Sequence, residues 1–211
     1  MPAEKNALHV MSRYEKFFER TGELLMRMAP TAEEEQKKGY TLTRGERAEL
    51  RRMNPTKNDI RPPVFWRLLC EYGILGDAEN SLSEGAEKAW AAVLQGMAMT
   101  AQICRGARDD FGTALGSLED AGDALARRFD LLMRTDSDRF FDLLRHQLKL
   151  ACSKDCAFSW TALACLCVAP EENERSKVRS ALTKSFYLAL WKSQNTAGEN
   201  GESIVKENES E

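Results

Sequence analysis

The stretch GDALARRFDLLMRTDSDRFFDLLRHQLKLA, residues 122–151, decides the fold class. Its apolar residues recur at helical spacing, with no alternation of period two, so it reads as two consecutive helices. One covers about 122–134; the second begins near Asp136 or Ser137 and runs to about Ala151. Downstream, Ser159 is placed to cap a short apolar helix, WTALACLCV, which Pro170 ends. A last helix follows over about 171–192, with Val178, Leu182, Phe186 and Leu190 facing inward. Upstream, residues 84–104 form a long helix whose buried side carries Ala89, Trp90, Val93, Leu94 and Met97. Gly106, Gly112 and Gly116 break up the segment around Phe111–Leu118.

The N-terminal part has the same character. A first helix is expected over about 4–28, with Leu8, Met11, Phe18, Leu25 and Met28 near one face and Ala29-Pro30 as its stop. A short polar helix or loop follows. Thr43-Arg-Gly-Glu46 is a capping box, in which the hydroxyl and the carboxylate each satisfy a free backbone N–H. Pro62-Pro63 opens the helix VFWRLLCEY, and Gly73 closes it. The chain therefore reads as all-α, a bundle of about eight or nine helices. Its lengths suit two small lobes joined in the loop at 76–84 or in the glycine stretch at 106–116. The helical domain is expected over 1–194, comprising an N-terminal extension of about 1–41 and a main region of about 42–190. The tail at 195–211, with Glu199, Glu202, Glu207, Glu209 and Glu211 against Lys206, has almost no apolar content and is expected to be disordered.

Composition narrows the function. No apolar run approaches the ~20 residues that cross a bilayer, and the charged N-terminus is no signal peptide, so a cytoplasmic protein is expected, without membrane contact. The six cysteines agree: C-x3-C at Cys152 and Cys156 and C-x-C at Cys165 and Cys167 are not zinc-ribbon spacings, and the only histidines are His9 and His146. Reduced, packed thiols are expected, with no metal and no cofactor. The motifs of nucleotide binding, nucleophile elbows and zinc hydrolysis are missing, so no active site is expected. His146 sits between Arg145 and Lys149 as a surface or phosphate-facing residue, and Asp109-Asp110 reads as a solvated turn. The aromatic residues, among them Phe65/Trp66 and Phe186/Tyr187, read mostly as core.

The net charge of −3 hides an uneven distribution, and phosphate binding needs a local field rather than a global one. Arg44, Arg47, Arg51, Arg52, Lys57, Arg61 and Arg67 form one basic group. The 122–151 pair carries Arg127, Arg128, Arg134, Arg139, Arg145 and Lys149, of which 127, 134, 145 and 149 fall near helical repeats and form a stripe. The arginine fork suits phosphate oxygens. A solvated face laced by pairs such as Arg134–Asp138 and Arg128–Asp130 fits the same composition equally well.

The order of motifs separates the two. RAELRRMNPTKNDIRPPVFWRLL, residues 47–69, resembles the signature of the CasB family, the small subunit of the type I-E CRISPR surveillance complex, Cascade. Ala48, Leu50, Arg51, Arg52, Pro55, Phe65, Trp66, Arg67 and Leu68 carry that likeness. FGTAL (Phe111–Leu115), ARRFDLLMRTDSDRFFDLLR, FSW (Phe158–Trp160) and KVRSALTKSFYLA resemble the family's later motifs in order, over about 42–190. Ser159 stands where the family has an aspartate; serine also caps.

The resemblance implies a non-catalytic subunit of an antiviral RNA-guided complex. Its partners would be the backbone and large Cascade subunits, a second copy of itself, CRISPR guide RNA, and target DNA including the displaced non-target strand. It implies a sequence-independent hold on that strand and on the guide–target duplex, stabilising the R-loop. The residues assigned to the hold are Arg51 and Arg52, then Arg127, Arg128, Arg134 and Arg145, with Lys149 and Arg179 behind them. The competing expectation is a helical adaptor that binds only protein.

Overall fold

Ala89, Trp90, Val93, Leu94 and Met97 are all buried, on a helix that is covered nearly all round over its second half. A computed structural model describes residues 12–35, 41–57, 60–75 and 82–207, the side chains of Ser137 and of 196–207 excepted. Eleven helices lie among the described residues: α1 Glu15–Glu19, α2 Thr21–Met28, α3 Ala32–Glu35, α4 Arg44–Arg52, α5 Pro63–Glu71, α6 Glu84–Cys104, α7 Phe111–Gly116, α8 Asp123–Arg134, α9 Ser137–Ser153, α10 Trp160–Val168 and α11 Glu172–Glu207. The fold is the expected all-α bundle. Its only β-type pairing among the described residues is a single bridge between Asp110 and Ser159.

The central helix is α6, against which α2, α4, α9 and α10 pack. Small residues make this possible. A Cβ on Gly96 would stand 2.4 Å from the Trp160 ring and 2.7 Å from Leu148, so α9 and α10 close on bare backbone. The Trp160 indole N–H, fully enclosed, donates to the Thr100 hydroxyl at 2.9 Å. The buried side chains form one continuous cluster from Tyr14 to Leu190, spanning both halves of the chain.

The N-terminal region departs from expectation. Among the described residues, the helix expected over 4–28 is interrupted at Tyr14 (φ −121°, ψ 34°) and again at Arg20 (φ −106°, ψ 12°), whose backbones leave helical geometry. The second break has visible anchors. Arg20 grips Glu23 through two hydrogen bonds of 2.7 Å and lies over the Tyr72 ring. The change of direction lets Phe17 and Phe18 as well as Leu24, Leu25 and Met28 face the core. Leu8 and Met11 lie outside the described residues. The short polar segment forms one helical turn, α3.

Other local signals are realised as read. The Thr43 hydroxyl accepts from the Glu46 N–H at 3.2 Å, and the Glu46 carboxylate accepts from the Thr43 N–H at 2.8 Å. Pro63 opens α5, and Gly73, at φ +66°, closes it. The backbone of α11 stays helical beyond residue 192, to Glu207. The side chains of the acidic tail lie outside the described residues.

Candidate nucleic-acid interface

Arg51 and Arg52 end α4, and that end is locked onto α6. The buried Gln95 amide donates to the Arg51 carbonyl at 3.2 Å and to the Met53 carbonyl, satisfying two acceptors that a helix end leaves open. In return the Arg51 Nε donates to the Ala98 carbonyl at 2.8 Å. Neither arginine has a carboxylate partner among the described residues. Arg51 also acts electrostatically on Cys152, at the end of α9, whose thiol reaches toward the Met99 carbonyl at 3.6 Å. Cys152, Lys149 and Arg145 succeed one another at helical turns along α9, so the α4 terminus joins the α9 face. Arg145 is half-buried, and its enclosed Nε has no acceptor among the described residues.

On α8, Leu125, Phe129, Leu132 and Met133 fill the core while Arg127, Arg128 and Arg134 stay exposed. The ion pairs that a solvated face would use do not form. Asp138 takes Lys88 at 3.2 Å instead of Arg134, and Asp130 accepts the Tyr187 hydroxyl at 2.9 Å instead of pairing with Arg128. Among the described residues, no carboxylate pairs with Arg52, Arg127, Arg128, Arg134, Arg145 or Lys149.

Arg179 differs. Its guanidinium bonds to the Thr135 carbonyl, to Asp136 and to Glu172, tying α11 to the α8–α9 junction. The first basic group is also largely spoken for. Arg47 pairs with Glu35, Arg67 with Glu46 and Glu71, and the buried Arg61 with Glu87 and the carbonyls of Asn54 and Pro55. A cleft of about 770 Å³ between Tyr14, Phe140 and Val168 is lined by Arg13, Lys88, Arg175 and Arg179; Arg13 lies over the Tyr14 ring, and each of the other three faces an acid: Glu84 or Asp138 for the lysine, Glu172 for the arginines.

Several readings of single residues change. Asp110 is no solvated turn. Its carboxylate caps α7, accepting from the Gly112 and Thr113 N–H groups at 2.8 and 3.0 Å and from the Ser185 hydroxyl of α11 at 2.6 Å. Of the aromatic neighbours, Phe65 and Phe186 are buried but Trp66 and Tyr187 are exposed, because one residue is about 100° around a helix. His146 is on the surface, with Nδ1 2.7 Å from the Asp142 carbonyl oxygen.

Four of the six cysteines follow the packed reading; Cys70 is exposed and Cys152 only partly buried. All six are free, and Cys104, Cys156, Cys165 and Cys167 are buried. Burial raises the Cys156 thiol to about 11 and the Cys165 thiol to about 12, and pushes Cys104, Cys152 and Cys167 upward as well. Since the thiolate is the reactive form, a disulfide reagent at mildly alkaline pH should find one fast thiol, the exposed Cys70. Cys70→Ser should abolish the fast phase, and guanidinium should release the rest. A second fast thiol in the native protein would mean that the α9–α10 turn opens.

The family model described as CRISPR-associated protein Cse2 matches residues 46–187, two thirds of the chain. The chain belongs to the Cse2 family. This is the CasB family of the sequence comparison above. The match runs from α4 into α11 and contains all eight residues assigned to the phosphate hold. A chain in the crystal structure of E. coli Cascade bound to a PAM-containing dsDNA target is similar in fold. The likeness covers 72% of this chain and 90% of that one, with 24% identity and a TM-score of 0.52. No curated protein matches the chain. Among the described residues, no helix is long and apolar enough to cross a membrane, and no cluster of metal-ligating side chains is present.

Proposed function

We propose that this Cse2-family chain is a non-catalytic small subunit of a type I-E Cascade, and that it stabilises the R-loop by holding nucleic-acid phosphates without reading sequence. It acts on the displaced non-target strand and on the guide RNA–target duplex, beside the backbone and large subunits and a second copy of itself. The observation that carries this reading is the set of cations left without acids. Arg52, Arg127, Arg128, Arg134, Arg145 and Lys149 lack carboxylate partners among the described residues, although Asp130 stands within a turn of the α8 arginines and Asp138 follows Arg134 by four residues across the α8–α9 break. Arg51 joins them through its terminal nitrogens, its Nε being fixed on α6. Arg179 is a second-rank contributor, since its charge is already matched. The exchange of one duplex for another in an R-loop is nearly balanced, so a modest electrostatic hold shifts it; that argument is known for a different CRISPR effector.

In this reading residues 42–190 form the working domain, and 1–41 and 195–211 are additions to it. The test is a tagged pull-down from the source cells with bound RNA sequenced and bound proteins identified. Short RNAs of one repeat–spacer pattern, with several co-eluting subunits, are expected. Protein partners without such RNA would leave the adaptor reading in its place.

A further inference from the structure

Core packing accounts for most aromatic side chains, but not for the outer face of α11. Tyr187, Leu188 and Trp191 are 40%, 50% and 62% exposed, on a helix whose other side is buried through Leu182, Phe186 and Leu190. Lys184, Tyr187 or Leu188, and Trp191 succeed one another at helical turns, so they share one stripe. On the neighbouring α8, Leu131 is 44% exposed, and Arg127 and Arg134 share its face. The two faces are registered by one contact: the Tyr187 hydroxyl donates to Asp130 at 2.9 Å, and Asp130 lies a turn from both Arg127 and Arg134. Arg134 is close enough to act electrostatically on Tyr187. Two flat rings, a turn apart, therefore lie open beside guanidinium groups that no described carboxylate neutralises. Of the two acids within α8, Asp130 is engaged by the tyrosine, and Asp123 lies a turn before Arg127.

We propose that this face binds single-stranded nucleic acid through its bases, which stack on Trp191 and Tyr187 while Arg127, Arg134 and Lys184 hold the adjoining phosphates. The proposal rests on the phosphate-holding function above and deepens it. A protein partner's apolar surface would suit the rings, but it would leave the bordering cations unmatched. A strand supplies both chemistries at once, and stacking is tolerant of sequence because every base has a π-face. Duplex DNA, with its bases enclosed, would meet only the cations. The face therefore favours a single strand over a duplex.

Fluorescence and affinity test this in the full-length chain. Of the four tryptophans, Trp90 and Trp160 are buried, so in a Trp66→Phe background the responsive signal is that of Trp191. A mixed-sequence single-stranded DNA should quench it, and an abasic strand of equal length should not. Trp191→Ala should weaken binding of the base-bearing strand by on the order of tenfold and leave the abasic strand and the salt dependence unchanged. Tyr187→Phe keeps the ring but releases Asp130 beside the arginines, so it should weaken both strands alike, and Tyr187→Ala should weaken the base-bearing strand further. Equal effects of Trp191→Ala on both strands, or no effect on either, would overturn the stacking proposal and leave the phosphate hold standing. Failure of both strands to bind would overturn the two together.

Discussion

Replacing Gly112 with alanine is expected to destabilise the protein by about 2 kcal/mol or more, a large effect for one methyl group. A Cβ at this position would lie 2.2 Å from the Leu182 carbonyl oxygen and 2.5 Å from the Ser185 hydroxyl. The obstacle is backbone. Leu182 O is held inside α11 and also accepts the Ser185 hydroxyl at 3.0 Å, so it cannot swing aside as a side chain would. Relief requires α11 to retreat from α7. That movement would loosen the Ser185–Asp110 bond and the stacked pair of Phe129 and Phe186, whose centroids lie 4.2 Å apart.

Overpacking of a close-packed core costs roughly 1–3 kcal/mol and sometimes more, and a backbone clash belongs at the upper end. Better helix propensity returns up to ~1 kcal/mol, which sets the net value. Gly45→Ala is the control. Its Cβ would meet nothing nearer than the Thr43 hydroxyl at 3.9 Å, and α4 should be unchanged or slightly firmer. Urea midpoints of the two variants decide the matter; parental stability in Gly112→Ala would mean that α7 and α11 do not approach as closely as described.

That site also marks the limit of what the sequence reveals. Gly112 and Gly116 look like breakers when only local propensity is weighed, and the sequence reading places them so. In the fold they lie inside α7, and a Cβ on Gly116 would stand 2.3 Å from the Phe186 carbonyl oxygen. Their role depends on α11, some seventy residues away, and no local pattern carries that. The capping box at Thr43, the proline start of α5 and the buried face of α6 are governed by neighbours within a few turns, and they appear as read. The break at Arg20 is again non-local, since it uses Tyr72.

The candidate interface divides in the same way. Which side chains are cationic, and which share a helix face, follows from spacing. Which of them are already neutralised does not. Arg179 and Arg134 look alike in sequence, yet one meets Asp136 and Glu172 while the other meets no described carboxylate. The acids that could have quenched Arg128 and Arg134 are taken by Tyr187 and Lys88, from α11 and α6. Tyr187 and Trp191 were similarly hidden, since an exposed aromatic on a helix whose opposite face is core differs from a buried one only by its angle.

The charge pattern makes the second large prediction. Arg127→Gln, Arg134→Gln and Arg145→Gln combined should weaken binding of single-stranded DNA by about ten- to a hundredfold at moderate salt, taking about 0.5–1 kcal/mol for each exposed contact. The slope of log affinity against log salt separates this from a loss of fold. Each phosphate contact to a single strand releases counterions worth about 0.7 in slope, so the triple variant should lose about 2. Arg47→Gln is the matched control, because the Arg47 guanidinium is already neutralised by Glu35 at 3.0 Å and should contribute nothing to the slope. Circular dichroism should report parental helix content in both, since none of the four side chains is fully buried. Phosphate holding requires the two variants to differ. An equal slope in triple variant, control and parent would mean that the unpaired arginines face acidic protein surfaces, which is the adaptor reading; a flat dependence in the parent would say the same.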